Sequence, residues 1–188
     1  MKKPINFLLT LRNTIILSNT CPQIYNVLNT HIPAHNKYSL EHIFPKCYMN
    51  KISYNDLHNI YKCNDYINNH RSNYKFTDFD DKLYNPTDFT RILNTNNYIS
   101  TKHKLFIPEE ESRGIISRSI MYISYEYKNK FHKVIDSKLL INWCLNYPPT
   151  KEEKIHNHIV FMRQFKRNRF IDLYNKKNYK NYIYELFG

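Results

Sequence analysis

The stretch that decides the fold is Glu41-His42-Ile43-Phe44-Pro45, then Asp56-Leu57-His58-Asn59-Ile60, then Ile67-Asn68-Asn69-His70-Arg71-Ser72-Asn73-Tyr74. Lys37–Pro45 reads as a strand, because Tyr38, Leu40, Ile43 and Phe44 are strand-prone and Pro45 ends it. Met49–Tyr54 is a candidate partner strand across a tight connection, and Asn64–Asn73 reads as a helix. Strand, turn and helix therefore gather hard oxygen donors and imidazoles in one short region. Hydrolysis of a phosphodiester asks for such a set. A divalent cation stabilises charge on phosphorus and the leaving oxygen, a base takes a proton from water, and cations hold flanking phosphates. Glu41 and an Asn amide oxygen suit Mg²⁺, and an imidazole with an ordinary pKa near 6.5 suits the base.

Working outward, the chain has 188 residues, a length that reads as one domain with room for a core that needs no staple. Its 28 Lys+Arg against 16 Asp+Glu give +12, which points to a polyanionic partner, nucleic acid before membrane surface. Hydrophobic content of 41% argues against wholesale disorder, and no apolar run is long enough for a membrane span. The 25 Asn, 20 Lys and single Ala read as translation of an AT-rich genome, which discounts isolated Asn, Lys and Tyr as signals. The same bias lets Asn take left-handed turn positions in a chain with 2 Gly.

Cys21, Cys47, Cys63 and Cys144 are scattered and read as free thiols rather than a disulfide scaffold. A zinc site from Cys47, His58 and Cys63 is conceivable, although its spacing fits no standard pattern. Lys2 and Lys3 precede an apolar Ile5–Leu11, but Arg12 interrupts it and no small-x-small cleavage site follows. An amphipathic first helix over Ile5–Ser18 is favoured over a cleaved signal, and Pro22–Leu28 reads as a second short helix.

Tyr74–Lys104 is polar and poorly periodic, and reads as an extended loop or short hairpin that is functional or mobile (about 75–105). Pro108 followed by Glu109, Glu110 and Glu111 opens a helix with Ile116, Ile120, Ile123 and Tyr127 on one face. Leu139, Leu140, Trp143 and Tyr147 mark another, stopped by Pro148-Pro149. Thr150 with Glu153 forms a capping box for the next, and Leu173–Phe187 reads as a basic, Tyr-rich terminal helix. The expected class is α+β, mostly helical, around a small β-hairpin.

Taken singly, His42 is more often a satisfied core histidine and Asn68 a product of codon bias. Their order gives them weight, because the sequence resembles the endonuclease I family of DNA/RNA nonspecific nucleases, in the His-Me finger (ββα-metal) group. Glu41-His42 with Pro45, Asp56-Leu57-His58-Asn59 and Asn68 with Arg71-Ser72-Asn73-Tyr74 resemble its finger segments. Arg113-Gly114-Ile115-Ile116-Ser117-Arg118, with Met121-Tyr122, resembles its Arg-Gly helix start. Pro148-Pro149, Glu153, Asn157 and Gln164 through Arg167-Asn168-Arg169-Phe170-Ile171-Asp172 resemble its C-terminal signature. The resemblance runs collinearly from about Leu8 to Asp172. It departs at Gln164-Phe165-Lys166-Arg167-Asn168-Arg169-Phe170, which lacks the family's Gly and Pro.

The resemblance implies a single domain over 1–188, with a ββα-metal core at about 37–73 and a helical part at 108–188. It implies a Mg²⁺-dependent endonuclease (Mn²⁺ or Ca²⁺ in its place, one ion) acting on DNA, or RNA, with little sequence preference. Glu41 and Asn68 would hold the ion and His42 would act as general base, with the P–O3′ bond cut to leave 5′-phosphate and 3′-hydroxyl ends. Asp56, His58 and Asn59 would orient the finger. Arg113 and Arg118 would contact phosphate. Apart from the resemblance, Arg167 and Arg169 read as a solvated basic face that attracts nucleic acid without specificity, and Arg71 is a further expected nucleic-acid contact. A monomer inside the cell, with no membrane partner, is the accompanying expectation. The competing reading is a catalytically silent, basic nucleic-acid-binding protein on the same fold.

Overall fold

The computed structural model describes residues 23–24, 38–79, 84–92 and 94–188. The expected helix at Ile5–Ser18 and the choice between helix and signal peptide lie outside the described residues. Of the expected helix at Pro22–Leu28, the described Gln23–Ile24 is instead a short strand, β1.

Strand β2, Tyr38–His42, and strand β3, Ile60–Asn64, pair antiparallel, with Glu41 opposite Tyr61 and His42 opposite Ile60. β1 joins the far side of β3 in parallel, giving the order β1–β3–β2. Helix α1, Asp65–Arg71, follows β3 directly, because the Asn64 side chain accepts from the Tyr66 and Ile67 amides and caps it. β2, β3 and α1 therefore form a ββα unit. The partner of β2 is not Met49–Tyr54, as the sequence suggested, but Ile60–Asn64. The intervening chain turns through three short 3₁₀ segments, Lys46–Tyr48, Lys51–Ser53 and Leu57–Asn59. Asn50 and Asp56 cap the last two with their side chains, which commits that stretch to turns rather than to a ladder.

The Tyr74–Lys104 segment, expected as an extended loop or short hairpin, forms together with Leu105–Ile107 a four-stranded sheet instead. Its strands are β4 (Lys75–Phe76), β5 (Thr90–Arg91), β6 (Tyr98–Ser100) and β7 (Leu105–Ile107), in the order β4–β7–β6–β5. Each strand has two or three residues, too few for a visible period. What anchors the sheet is burial of the whole of Leu105–Ile107 and of Phe76. Asn94 and Lys104 take left-handed turn conformations, φ 58° and 55°, where glycine would ordinarily stand.

Helix α2, Glu110–Tyr127, is the central member, with every residue from Ser112 to Ser124 buried. One side meets the ββα unit, where Ser119 Oγ donates to the His58 carbonyl at 2.7 Å. Another meets α3, Ser137–Asn146, across Ile116, Ile120, Leu140 and Trp143. Gly114 permits that approach, since a Cβ there would collide with the Tyr147 carbonyl oxygen. Helix α4, Lys151–Gln164, begins as expected, with Thr150 Oγ1 accepting from the Glu153 amide. Glu153 does not complete a reciprocal box. Its carboxylate turns inward to Arg118. Helix α5 is Arg169–Asp172, and the terminal helix α6 spans Tyr179–Phe187, shorter than expected. The α+β, mostly helical class is as expected. No described helix is long and apolar enough to cross a membrane.

Candidate active site in the ββα unit

Ser39 and Glu41 share one face of β2 because side chains alternate along a strand. Asn68 and Arg71, one helical turn apart, share the face of α1 that meets them. Asn68 Nδ2 donates to Ser39 Oγ at 2.8 Å, and Arg71 Nη1 lies 2.8 Å from Glu41 Oε1. The pairs are in register, 68 against 39 and 71 against 41. The amide carbonyl of Asn68 and the carboxylate of Glu41 are thereby brought to the same seam. Glu41 is 3% exposed and Arg71 1%. Arg71 also donates to the carbonyls of His42 (3.2 Å) and Ile43 (2.7 Å), and its guanidinium lies over the Phe76 ring at 4.5 Å. One side chain thus holds the carboxylate and fixes the backbone that carries His42.

His42 ends β2 and is half-buried. Its Nε2 lies 3.1 Å from the Tyr54 carbonyl. A carbonyl only accepts, so Nε2 carries the proton and Nδ1 keeps the lone pair. Burial lowers the pKa to about 4, helped by the positive charges of Lys46 and Arg71 and opposed by the Tyr54 hydrogen bond. The ring is neutral at pH 7, a state able to take a proton.

Asn59 fixes the turn beyond His42. The Phe44 amide donates to its Oδ1 at 2.7 Å, and its Nδ2 donates to the Phe44 carbonyl at 3.0 Å. Asp56 accepts from the His58 amide and from the hydroxyls of Tyr122 (3.1 Å) and Tyr127 (2.6 Å) on α2. His58 is fully buried, with its Nε2 against the Lys166 carbonyl at 3.0 Å. The Leu57 amide donates to Gln164 Oε1 at 2.6 Å. The turn that supports His42 is therefore bolted to α2 on one side and to the end of α4 on the other.

The arginines are placed differently from the expectation. Arg71 does not reach nucleic acid, because it is sealed behind Glu41. Arg118 is 1% exposed, bonded to Glu153 at 2.8 and 2.6 Å and to the Tyr147 carbonyl, so it cannot contact phosphate either. Arg113 is 9% exposed and engaged by Asp78 at 2.8 Å and by the Tyr147 hydroxyl. Arg167 remains accessible but is bidentate to Asp172, and Arg169 lies 4.2 Å over the Tyr125 ring. The Arg-Gly helix start and the C-terminal signature are thus framing elements, including Asn157 and Asn168, which pair with each other. Of the tail tyrosines, Tyr179 is buried and Tyr174 donates to the Leu145 carbonyl, so both serve packing. Cys47, His58 and Cys63 do not assemble. Cys47 is exposed while Cys63 is buried, and among the described residues no three His, Cys, Asp or Glu gather around a metal-sized space.

Sequence reasoning missed Ser39, Tyr54, Tyr122, Tyr127 and the pairing role of Arg71. Only Arg71 left a usable signal, its i+3 spacing from Asn68 on one helix face. Glu41 and Asn68 are oxygen donors facing one seam, a set that suits a hard divalent cation retaining several waters. The guanidinium beside Glu41 offsets its charge, so the seam attracts such an ion less strongly than an unpaired carboxylate would.

The pattern of the Endonuclease I family matches residues 12–174. The chain is 30% identical over 126 residues to Endonuclease-1 of Buchnera aphidicola subsp. Baizongia pistaciae (strain Bp). That alignment covers 67% of this chain and 49% of the relative, so the chain spans about half the length of that protein. The chain belongs to the endonuclease I family.

Proposed function

We propose that the protein is a metal-dependent endonuclease that hydrolyses phosphodiester bonds of DNA, or RNA, with little sequence preference. The observation that carries the reading is the neutral His42, with Nδ1 available, adjoining the seam of Glu41 and Asn68. Water attacks phosphorus as Nδ1 of His42 takes its proton, while the Tyr54 carbonyl holds the Nε2 proton and stabilises the imidazolium that forms. Glu41 and Asn68 hold one Mg²⁺, with Mn²⁺ or Ca²⁺ able to take its place. When bound, the ion supplies charge stabilisation at phosphorus and at the departing 3′-oxygen. Arg71 keeps Glu41 aimed, and Asn59 keeps the turn after His42 from shifting. The P–O3′ bond breaks and the departing 3′-oxygen takes a proton from solvent water, leaving a 5′-phosphate and a 3′-hydroxyl. The family match supports the nuclease class.

With the buried arginines removed from contact, substrate is held by exposed lysines. Lys138, Lys176, Lys177 and Lys180, with Tyr174 and Tyr184, line a groove of about 700 Å³ between α3 and α6 that no Asp or Glu enters. Such a groove attracts a polynucleotide backbone without reading its sequence. Digestion of a linear duplex with Mg²⁺, followed by ligation, tests the end chemistry. Fragments that DNA ligase rejoins carry the expected ends, and fragments it rejoins only after kinase and phosphatase treatment would refute the assigned scissile bond.

A further inference from the structure

Phe165 ends α4 in the left-handed conformation, φ 55° and ψ 25°, with its amide bonded to the Phe161 carbonyl at 2.8 Å. Glycine favours that position, and an aromatic there meets a steric penalty. Packing does not repay it, since the residue is 81% exposed. The other described residues with positive φ, namely Ser72, Asn94, Lys104 and Lys128, are small, polar or flexible. Phe165 alone among them is both aromatic and exposed. Its place is fixed from both sides, by Gln164 on the Leu57 amide and by the Lys166 carbonyl on His58. Leu57 lies three positions from Tyr54, whose carbonyl holds His42, at most about 10 Å of chain. Arg163 and Lys166, two positions before it and one after it in the chain, are exposed, and Lys166 Nζ lies 4.8 Å from the Tyr127 ring centre. A solvent-facing ring with a cation two positions before it and one position after it, on the segment bonded to the turn that supports His42, matches the chemistry of a base-stacking platform.

We propose that Phe165 stacks on an unpaired or opened nucleobase of the substrate strand, with Arg163 and Lys166 against the adjoining phosphates, so that the enzyme favours single-stranded or locally opened polynucleotides. This rests on the nuclease reading. The test is fluorescence anisotropy of a labelled single-stranded oligonucleotide in EDTA, with thermal unfolding alongside, for wild type, Phe165→Gly and Phe165→Trp. Phe165→Gly should raise Tm by about 2–4 °C as the strain is relieved, yet weaken binding by about 5- to 100-fold. Phe165→Trp should keep the affinity, and inorganic polyphosphate, which has no base to stack, should bind wild type and Phe165→Gly alike. Unchanged oligonucleotide affinity in Phe165→Gly, an equal loss towards polyphosphate, or a marked fall in its Tm would each overturn the proposal. Wild type that binds no polynucleotide would instead overturn the nuclease reading, and this proposal with it.

Discussion

Replacing Arg71 by methionine should destabilise the protein far more than it alters its attraction for nucleic acid. The guanidinium is 1% exposed and serves Glu41 (2.8 Å) and the carbonyls of His42 (3.2 Å) and Ile43 (2.7 Å) at once. Breaking a buried ion pair by removing one partner costs about 3–5 kcal/mol. The lost hydrogen bonds to three carbonyls, Ser72 (3.2 Å) being the third, overlap with that figure rather than adding to it in full, so about 4 kcal/mol is the working magnitude. For a chain of 188 residues this corresponds to a fall in Tm of about 8–16 °C. Arg71→Lys keeps the charge but loses the planar fork that reaches four oxygens, those of Glu41 and of the His42, Ile43 and Ser72 carbonyls, and should fall between wild type and Arg71→Met. The assay is thermal unfolding by circular dichroism, for Arg71→Met, Glu41→Gln and the double variant. The double variant should be more stable than the sum of the two losses implies, because it removes both charges. A change in Tm of under 2 °C in Arg71→Met, with a strong loss of nucleic-acid affinity, would refute the reasoning and restore Arg71 as a phosphate contact.

Asn59→Ala should lose about 2–3 kcal/mol, read by urea midpoints, and most of the cleavage rate, because the buried Phe44 amide and carbonyl lose their partner. Stability should decline as pH falls from about 6.5 towards 4. Burial lowers the pKa of His156 to about 4, with neighbouring His58 adding to the effect and the Leu57 carbonyl opposing it. Burial also lowers His58, against the raising influence of Asp56. The folded protein holds both rings neutral while the unfolded chain protonates them, so the loss for His156 alone is about 3 kcal/mol. A urea midpoint that stays flat between pH 7 and 4.5 contradicts this. Lys176→Glu with Lys177→Glu and Lys180→Glu should weaken polynucleotide binding and flatten its salt dependence by up to about three phosphate contacts, with Tm unchanged.

The sequence exposed β2 and the start of α4, because each carries a local device strong enough to read, a run of strand-formers closed by Pro45 and the Thr150 cap, and it placed a helix over Asn64–Asn73, where the Asn64 side chain caps α1. It placed Glu41, His42, Asp56, Asn59 and Asn68 in or beside one unit through their order. It failed where structure is set at long range. β3 pairs with β2 across seventeen intervening residues, and the sheet of β4–β7 is built from strands too short for periodicity. It also misread charge. Arg71, Arg113 and Arg118 look like surface cations in a basic chain, and only the buried acids Glu41 and Glu153 and half-buried Asp78, from distant segments, explain their place inside.

The central claim is that His42 takes the proton from water at a metal-supported seam. Nicking of supercoiled plasmid by purified protein, in Mg²⁺ and in EDTA, beside His42→Ala, tests it most directly. The account predicts relaxation by wild type in Mg²⁺, none in EDTA, and none by the variant, with the variant's binding and Tm near wild type. Relaxation that persists in His42→Ala would contradict the assigned base. Plasmid that is bound but never nicked in Mg²⁺, Mn²⁺ or Ca²⁺ would contradict the enzyme and leave a binding protein on the same fold.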